Sequence, residues 1–273
     1  MYTKLVQVLT TLKGVGAVGI KTSFEDEGAH PKNVRKLRNV SHLAGIDMSV
    51  KIGGAEAKTD FYTAIEIGSD GIVAPMIESP FALSKFTDYS KDFDIKRGIN
   101  IESKQGIENL ESILKSKNME HIDYICIGRS DLSNSYENGK DYIFSKDFCD
   151  TVTDTLFKIK SSNLDAYMGG TLDARSYHFL KFLHDNKLVN KVETRYVMFN
   201  LNDVFLNNFD LSIKKALEFE YEYMKLLRDI ELREMTEYAN RCDVIKGRLS
   251  QQIDYLWEFF HPKMVTSLHV ACS

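Results

Sequence analysis

Two acidic residues that each follow an apolar, strand-like run are the first candidates for chemistry in this sequence. Glu102 ends the run RGINIE (97–102), and Asp131 follows the run IDYICIG (122–128). They lie 29 residues apart, close to the length of one strand–helix unit, so we expect them at the ends of neighbouring strands. Burying a carboxylate is costly without a partner. Two adjacent carboxylates therefore predict a site for a hard divalent cation, Mg²⁺ or Mn²⁺.

Other polar residues and glycines follow the predicted strands, and the carboxyl ends of parallel barrel strands meet at one mouth. Because functional residues of such barrels come from these ends, we expect the groups to converge on one site. The candidates besides Glu102 and Asp131 are Glu25, Lys51, Gly53, Asn100, Gly128, Arg129, Glu193 and Arg195.

Each of these residues also has a purely structural interpretation. Glu102 and Asp131 are of the types that cap a helix or occupy its first turn. Arg129 would then form an ion pair with Glu102 or Glu78. Glu193 and Arg195 would point to solvent or to a helix, the acidic run 25–27 would be a solvated loop, and Gly53 would form a tight turn.

The elements that must position these groups are short apolar runs alternating with helically spaced segments. This alternation predicts a parallel sheet covered by helices. An open doubly wound sheet and a barrel both fit, but no GxGxxG follows the first run, which disfavours a dinucleotide-binding fold. We therefore predict an α/β fold, a (β/α)8 TIM-type barrel with parallel strands and its eighth strand unassigned. The runs are 16–22, 47–52, 70–76, 97–102, 122–128, 165–169 and 190–199.

The pattern changes in the last quarter of the chain. Residues 1–205 are predicted to form the barrel and 206–273 a helical C-terminal extension. Segments 211–233 and 234–260 carry apolar residues at helical spacing with charge on the other face. Two such helices would cover the barrel or dock onto a second copy of the chain, and we expect a homo-oligomer through them.

The bulk composition excludes several classes of partner. A net charge of −4 provides no basic field for nucleic acid, and no apolar run is long enough to cross a membrane. The four cysteines form no CxxC pair, which argues against a zinc knuckle or redox site. The N-terminus lacks the features of a signal peptide, so a cytoplasmic location is expected.

Three stretches carry a resemblance to a known family. RGINIESKQGIENLESIL (97–114) followed by HIDYICIGRSDLSNS (121–135) resembles the metal-dependent aldolase/citrate lyase family of phosphoenolpyruvate/pyruvate-binding barrels. DGIVAPMIESP (70–80) resembles the strand that precedes them in that family, and the resemblance extends over about 47–136. The family includes 2-keto-3-deoxy-acid aldolases and the citrate lyase β-subunit.

The resemblance implies that Glu102 and Asp131 are metal ligands for Mg²⁺ or Mn²⁺. Asn100 falls where the family often has glutamine. Lys51 falls where many members have an arginine that binds the substrate carboxylate. Since lysine offers a point charge and arginine a bidentate fork, we expect weaker pyruvate binding or a different substrate.

The resemblance also implies an acid–base group in the loop after an early strand, where family aldolases carry a histidine. That loop reads SFEDEGAHP (23–31) here, and Glu25 and His30 are its candidates. Lys51 and Arg129 would offset negative charge during catalysis.

The activity implied is that of a class II, divalent-metal-dependent carbon–carbon lyase acting through a pyruvate-type enolate. Its substrate would be a small 2-oxo acid or the aldol adduct of one. Two alternatives stay open: an acyl-CoA lyase of the citryl or malyl type, and a barrel that binds a metal-chelated oxo acid without turnover. The acyl-CoA alternative is the weaker one, because no cationic cluster is placed to bind the phosphates of coenzyme A.

Overall fold

The computed structural model describes residues 2–25 and 27–260, and in this part of the chain eight strands close into a barrel. Neighbouring strands in sequence are neighbours in the barrel, and the last strand pairs with the first. The predicted TIM-type α/β fold is therefore confirmed. The strands are β1 (Ala17–Ser23), β2 (Asp47–Lys51), β3 (Gly71–Ala74), β4 (Lys96–Ile101), β5 (Tyr124–Gly128), β6 (Asp165–Gly169), β7 (Lys191–Glu193) and β8 (Val197–Asn200).

The eighth strand differs from the rest in direction. β1 to β7 pair in parallel, whereas β8 pairs antiparallel with both β7 and β1. The single predicted run 190–199 is split by a turn at 194–196, in which Thr194 N donates to Val197 O at 2.9 Å. Three residues are too few for a parallel crossover, so this closing strand must run antiparallel. The expectation of an all-parallel barrel is corrected at this one strand.

Helices follow most strands, and local sequence signals set their ends. Ser79 and Ser103 are N-caps whose hydroxyls accept from the N–H of Ala82 and Gly106, each at 3.1 Å. Among the described helices, none is both long and apolar enough to cross a membrane. The helices are α1 (Thr3–Gly14), α2 (Pro31–Ala44), α3 (Lys58–Ile67), α4 (Pro80–Ser90), α5 (Lys104–Glu108), α6 (Leu110–Leu114), α7 (Arg129–Ser135), α8 (Lys146–Ser161), α9 (Tyr177–Asp185), α10 (Asp203–Asn207) and α11 (Phe209–Phe260).

The C-terminal region is one long helix, α11, rather than the two predicted helices. Its first part belongs to a compact unit that ends at Tyr223, because Ala216, Phe219 and Tyr223 are buried. We predicted the barrel domain to end at residue 205, and residues 206–223 also belong to this unit. A second unit begins at Met224, and residues 261–273 of the predicted extension lie outside the described residues.

The second unit exposes apolar side chains along α11. Their exposure is typical of a helix face that packs against another surface. The homo-oligomer expected through this region stays a prediction. These side chains include Leu232, Met235, Tyr238, Ile245, Leu249 and Trp257.

Below its mouth, the barrel interior is filled by side chains from three strands. Tyr124 and Tyr167 stack with ring centroids 4.0 Å apart, and they form one buried cluster with Val73 and Cys126. Tyr124 and Cys126 are two residues apart on β5 and so share a face. Gly98 on the neighbouring strand makes room for the ring of Tyr124, since a Cβ there would lie 2.3 Å from it. This packed layer is the floor on which the candidate site lies.

Candidate functional site

A cavity of about 400 Å³ lies at the carboxyl ends of the barrel strands. Glu102, Asp131 and Lys51 all line it, so the structure brings the two predicted ligands and the predicted carboxylate-binding lysine into one place. Ile213 and Leu217, from the first turns of α11, form an apolar side of the same cavity. A cavity of this size, lined by cations and carboxylates beside an apolar side, suits a small polar ligand.

Glu102 is held in place by two hydrogen bonds. The residue is 3% exposed. Its Oε1 accepts from the N–H of Met76 at 3.1 Å, and its Oε2 accepts from the amide of Asn100 at 2.9 Å. Met76 presents its N–H from a left-handed backbone with φ of 52°, which is uncommon for a residue other than glycine. Ser103, not Glu102, caps α5. The carboxylate is therefore not a helix cap and faces the cavity.

Burial is the main cause of a raised pKa at Glu102, and the nearby negative charge of Asp131 adds to it. Lys51 and the amide of Asn100 oppose the shift. A cation between the two carboxylates would stabilise the charged form of Glu102.

Asp131 is half-buried in the first turn of α7, and the residue at the N-cap position is Gly128, which has no side chain to cap with. Arg129, next to it, is fully buried and donates to the backbone carbonyls of Gly170 at 2.6 Å and Thr171 at 2.9 Å. These bonds tie the loop after β6 to the start of α7.

The structure does not place Arg129 among the cavity-lining residues described, and its partners are carbonyls rather than Glu102 or Glu78. Burial lowers its pKa to about 10, so the guanidinium stays charged at neutral pH. Its geometry is that of a positioning residue, because it holds the backbone that flanks Asp131.

The residues present fit a hard divalent cation held by two carboxylates. In the described part of the chain, no cluster of three or more histidine, cysteine, aspartate or glutamate side chains forms a denser metal site. Glu102 and Asp131 would supply two oxygen ligands, and water and substrate oxygens would supply the others. Mg²⁺ commonly binds through one or two carboxylates in this way.

The other predicted site residues divide into two groups. Asn100, Gly128 and Arg195 line the cavity. Glu193 points into the barrel and is absent from the described residues that line the cavity, as are Glu25, His30 and Gly53.

Glu25, His30 and Gly53 lie elsewhere for identifiable reasons. Glu25 is exposed and lies against Gly53, whose N–H donates to Asp60 at 2.8 Å. His30 is exposed, and its ring accepts from Lys32 N at 3.5 Å at the start of α2. Asp26, in the same acidic run as Glu25, lies outside the described residues.

Glu193 points into the barrel, where it is 5% exposed, and it pairs with a lysine that the sequence reasoning did not single out. Lys21 Nζ lies 2.7 Å from Glu193 Oε2 and lines the cavity. Burial acts to lower the pKa of Lys21, but the charge and hydrogen bond of Glu193, together with the nearby Cys126 and Glu27, outweigh it and raise that pKa. The sequence signal for Lys21 was a lysine near the end of the apolar run 16–22, where a buried charge needs a partner.

Glu27 is the second cavity residue that the sequence reasoning missed. It was grouped with an acidic loop, yet its side chain is only 6% exposed and lines the cavity. Its spacing gave no signal, because the turn after β1 folds it back toward Thr22 Oγ1, 3.0 Å away.

No protein-family model and no curated protein sequence match this chain. Solved structures do match it. An HpcH/HpaI aldolase from Desulfitobacterium hafniense has a TM-score of 0.59 at 13% identity, covering 80% of this chain and 89% of that one. The citrate synthase SbnG has a TM-score of 0.57 at 15% identity, covering 80% and 90%.

An HpcH/HpaI aldolase/citrate lyase family protein from Burkholderia cenocepacia has a TM-score of 0.56 at 14% identity, covering 82% of this chain and 90% of that one. At these identities the match concerns the fold. The chain therefore has the barrel fold of the HpcH/HpaI aldolase and citrate lyase proteins, and the resemblance carried by its strand-end motifs is confirmed at the level of the fold.

Proposed function

We propose that this chain is a divalent-metal-dependent carbon–carbon lyase that acts on a small 2-oxo acid or its aldol adduct. The observation that carries the proposal is the convergence of Glu102, Asp131 and Lys51 on one cavity at the carboxyl ends of the barrel strands. A cation held by two protein carboxylates has coordination positions left over, and an oxo acid can occupy two of them with its carboxylate and ketone oxygens.

Glu102 and Asp131 would hold Mg²⁺ or Mn²⁺. When bound, such a cation polarises the ketone and stabilises negative charge on its oxygen. Lys51 lies close enough to Glu102 for its charge to oppose the rise in that residue's pKa, and it would bind the substrate carboxylate as a point charge. Asn100 orients the Glu102 carboxylate through its 2.9 Å hydrogen bond.

Two lysines of the cavity lining support the binding of an anion. Lys21 and Lys51 both line the cavity, and their ammonium groups would attract a carboxylate. The apolar side formed by Ile213 and Leu217 would contact the part of the adduct that leaves as the aldehyde.

The test is exchange of the C3 protons of pyruvate into D₂O, followed by proton NMR, with Mg²⁺ or Mn²⁺ and with EDTA. We expect exchange that requires metal and is lost in Glu102→Gln and in Asp131→Asn. Glu66→Gln, an exposed glutamate on α3, is the matched control and should exchange like the parent. Binding of Mn²⁺ to each variant, measured by electron paramagnetic resonance, shows whether lost exchange reflects lost metal.

Two outcomes would contradict the proposal. Exchange that survives EDTA would exclude a metal-dependent site. Bound metal and pyruvate without exchange would favour a barrel that binds a chelated oxo acid without turnover, and the acyl-CoA substrates would be tested next.

A further inference from the structure

Glu27 is a buried carboxylate held in a fixed position at the edge of the cavity. Its Oε2 accepts from Thr22 Oγ1 at 3.0 Å and from Ser23 N at 3.4 Å, and its Oε1 lies 3.8 Å from Nε of Arg195. A glutamate in a solvated loop would have no such set of contacts. The side chain is therefore positioned, desolvated and open to the cavity at once.

The barrel order places Glu27 opposite the predicted metal ligands. Glu27 follows β1 and Asp131 follows β5, and these strands are four apart in a closed ring of eight. Strands four apart in an eight-stranded barrel lie on opposite sides of its axis. A small ligand held at Glu102 and Asp131 would therefore turn its other end toward Glu27.

The charged and titratable groups around Glu27 come from three elements. Lys21 faces it from β1, Arg195 and Tyr196 from the turn before β8, and Tyr223 from α11. Burial raises the pKa of the Glu27 carboxyl, while Thr22, Arg195 and Lys21 oppose this without reversing it. A carboxyl whose pKa moves toward neutrality is well suited to exchanging protons near neutral pH.

We propose that Glu27 is the acid–base residue of the lyase reaction, and this inference rests on the proposed function. In the cleavage direction, the Glu27 carboxylate takes the proton of the C4 hydroxyl of a 4-hydroxy-2-oxo acid. The C3–C4 bond breaks, its electron pair moves through C2 onto the C2 oxygen as an enolate, and C4 leaves as an aldehyde. The Glu27 carboxylic acid then returns the proton to C3, which yields pyruvate and restores the carboxylate.

The test measures cleavage of 4-hydroxy-2-oxobutanoate and 4-hydroxy-2-oxopentanoate by the full chain, with pyruvate release as the readout. Glu27→Gln should lower kcat by about 10²- to 10⁴-fold, the usual contribution of a positioned acid–base group. Glu27→Asp should retain part of the activity because it keeps a carboxylate. Glu66→Gln on α3 is the matched control, and Mn²⁺ binding should be the same in all four proteins.

The pH profile separates a proton-transfer role from a structural one. In the parent, kcat/KM should fall at low pH as Glu27 becomes protonated, and this acid limb should be missing in Glu27→Gln. Carboxyl ¹³C NMR of glutamate-labelled protein gives a readout that needs no activity: a resonance that titrates above the ordinary glutamate range should vanish in Glu27→Gln and remain in Glu102→Gln.

Failure of the Glu27 role and failure of the proposed lyase function would give different results. If the parent cleaves an adduct and Glu27→Gln does so within about threefold, with its acid limb intact, the role of Glu27 is wrong and the lyase function stands. The role of Glu27 would also be overturned if every glutamate resonance that titrates high in the parent remained in Glu27→Gln. If the parent neither cleaves an adduct nor exchanges the protons of pyruvate, the proposed function fails and the role of Glu27 falls with it.

Discussion

The carboxylate of Glu102 lies directly over the Cα of Gly128, so that a Cβ on Gly128 would be 2.3 Å from Oε2 and 2.7 Å from Cβ of Glu102. Gly128 has φ of −84°, a value open to any residue, and the need for glycine therefore comes from this contact alone. Gly128, the last residue of β5, has no side chain, and the carboxylate of Glu102 at the end of β4 occupies the space beside it.

Gly128→Ala should accordingly displace Glu102 and weaken divalent metal binding by about 10- to 100-fold, as changes next to metal ligands commonly do. Isothermal titration with Mn²⁺ measures this loss. Gly14→Ala is the control, because a Cβ there meets nothing within 4 Å. Equal Mn²⁺ affinity in Gly128→Ala and the parent would show that Glu102 is not a ligand or is free to move aside.

Arg129→Met should destabilise the protein rather than remove a catalytic charge. The variant leaves the carbonyls of Gly170 and Thr171 without their guanidinium donor, and buried unsatisfied groups cost about 1–3 kcal/mol each. Urea unfolding should show a loss of about 2–4 kcal/mol in the free energy of unfolding. The exposed Arg35→Met should show no comparable loss. Full stability of Arg129→Met with abolished activity would instead indicate a direct role in the chemistry.

Lys21 and Glu193 should be strongly coupled in a double-mutant cycle. Lys21→Met leaves the buried Glu193 carboxylate without the ammonium that lies 2.7 Å away, and breaking a buried pair in this way costs about 3–5 kcal/mol. Changing both residues, to Met and Gln, should recover a substantial part of that loss. The free energies of unfolding of the parent, both single variants and the double variant give the coupling. Additive losses would show that the two side chains do not interact.

The stability of Glu27→Gln relative to the parent should depend on pH. Because burial raises the pKa of Glu27, the folded protein binds this proton more tightly than the unfolded chain does. The parent's free energy of unfolding therefore falls as pH rises from about 4.3, the unfolded value, through the raised folded value.

Glutamine has no such proton, so the variant should gain stability relative to the parent as pH rises from about 4.3, the unfolded pKa, through the raised pKa of the folded protein. Urea unfolding of both proteins across this interval measures the difference. A difference that is independent of pH, or that changes in the opposite direction, would contradict a raised pKa at Glu27.

The sequence by itself determined the barrel and the two candidate metal ligands, because both follow from local order along the chain. Alternating apolar runs and helices predict parallel strands, and Glu102 and Asp131 are placed by the ends of two consecutive strands. Ser103, directly after Glu102, caps the next helix. The strand therefore ends at Glu102, and the local sequence places its carboxylate at the strand end. No distant contact is needed to make these predictions.

The tertiary structure decided what depends on contacts across the barrel. Lys21 and Glu193 are 172 residues apart, and only the closed ring brings them within 2.7 Å. The direction of β8 and the inward fold of Glu27 depend in the same way on a tight turn and on buried partners. Charges such as these are stable inside a protein only when their partners are in place. Ring closure brings these partners together, because it joins the two ends of the barrel sequence. The neighbouring residues in the chain do not determine them.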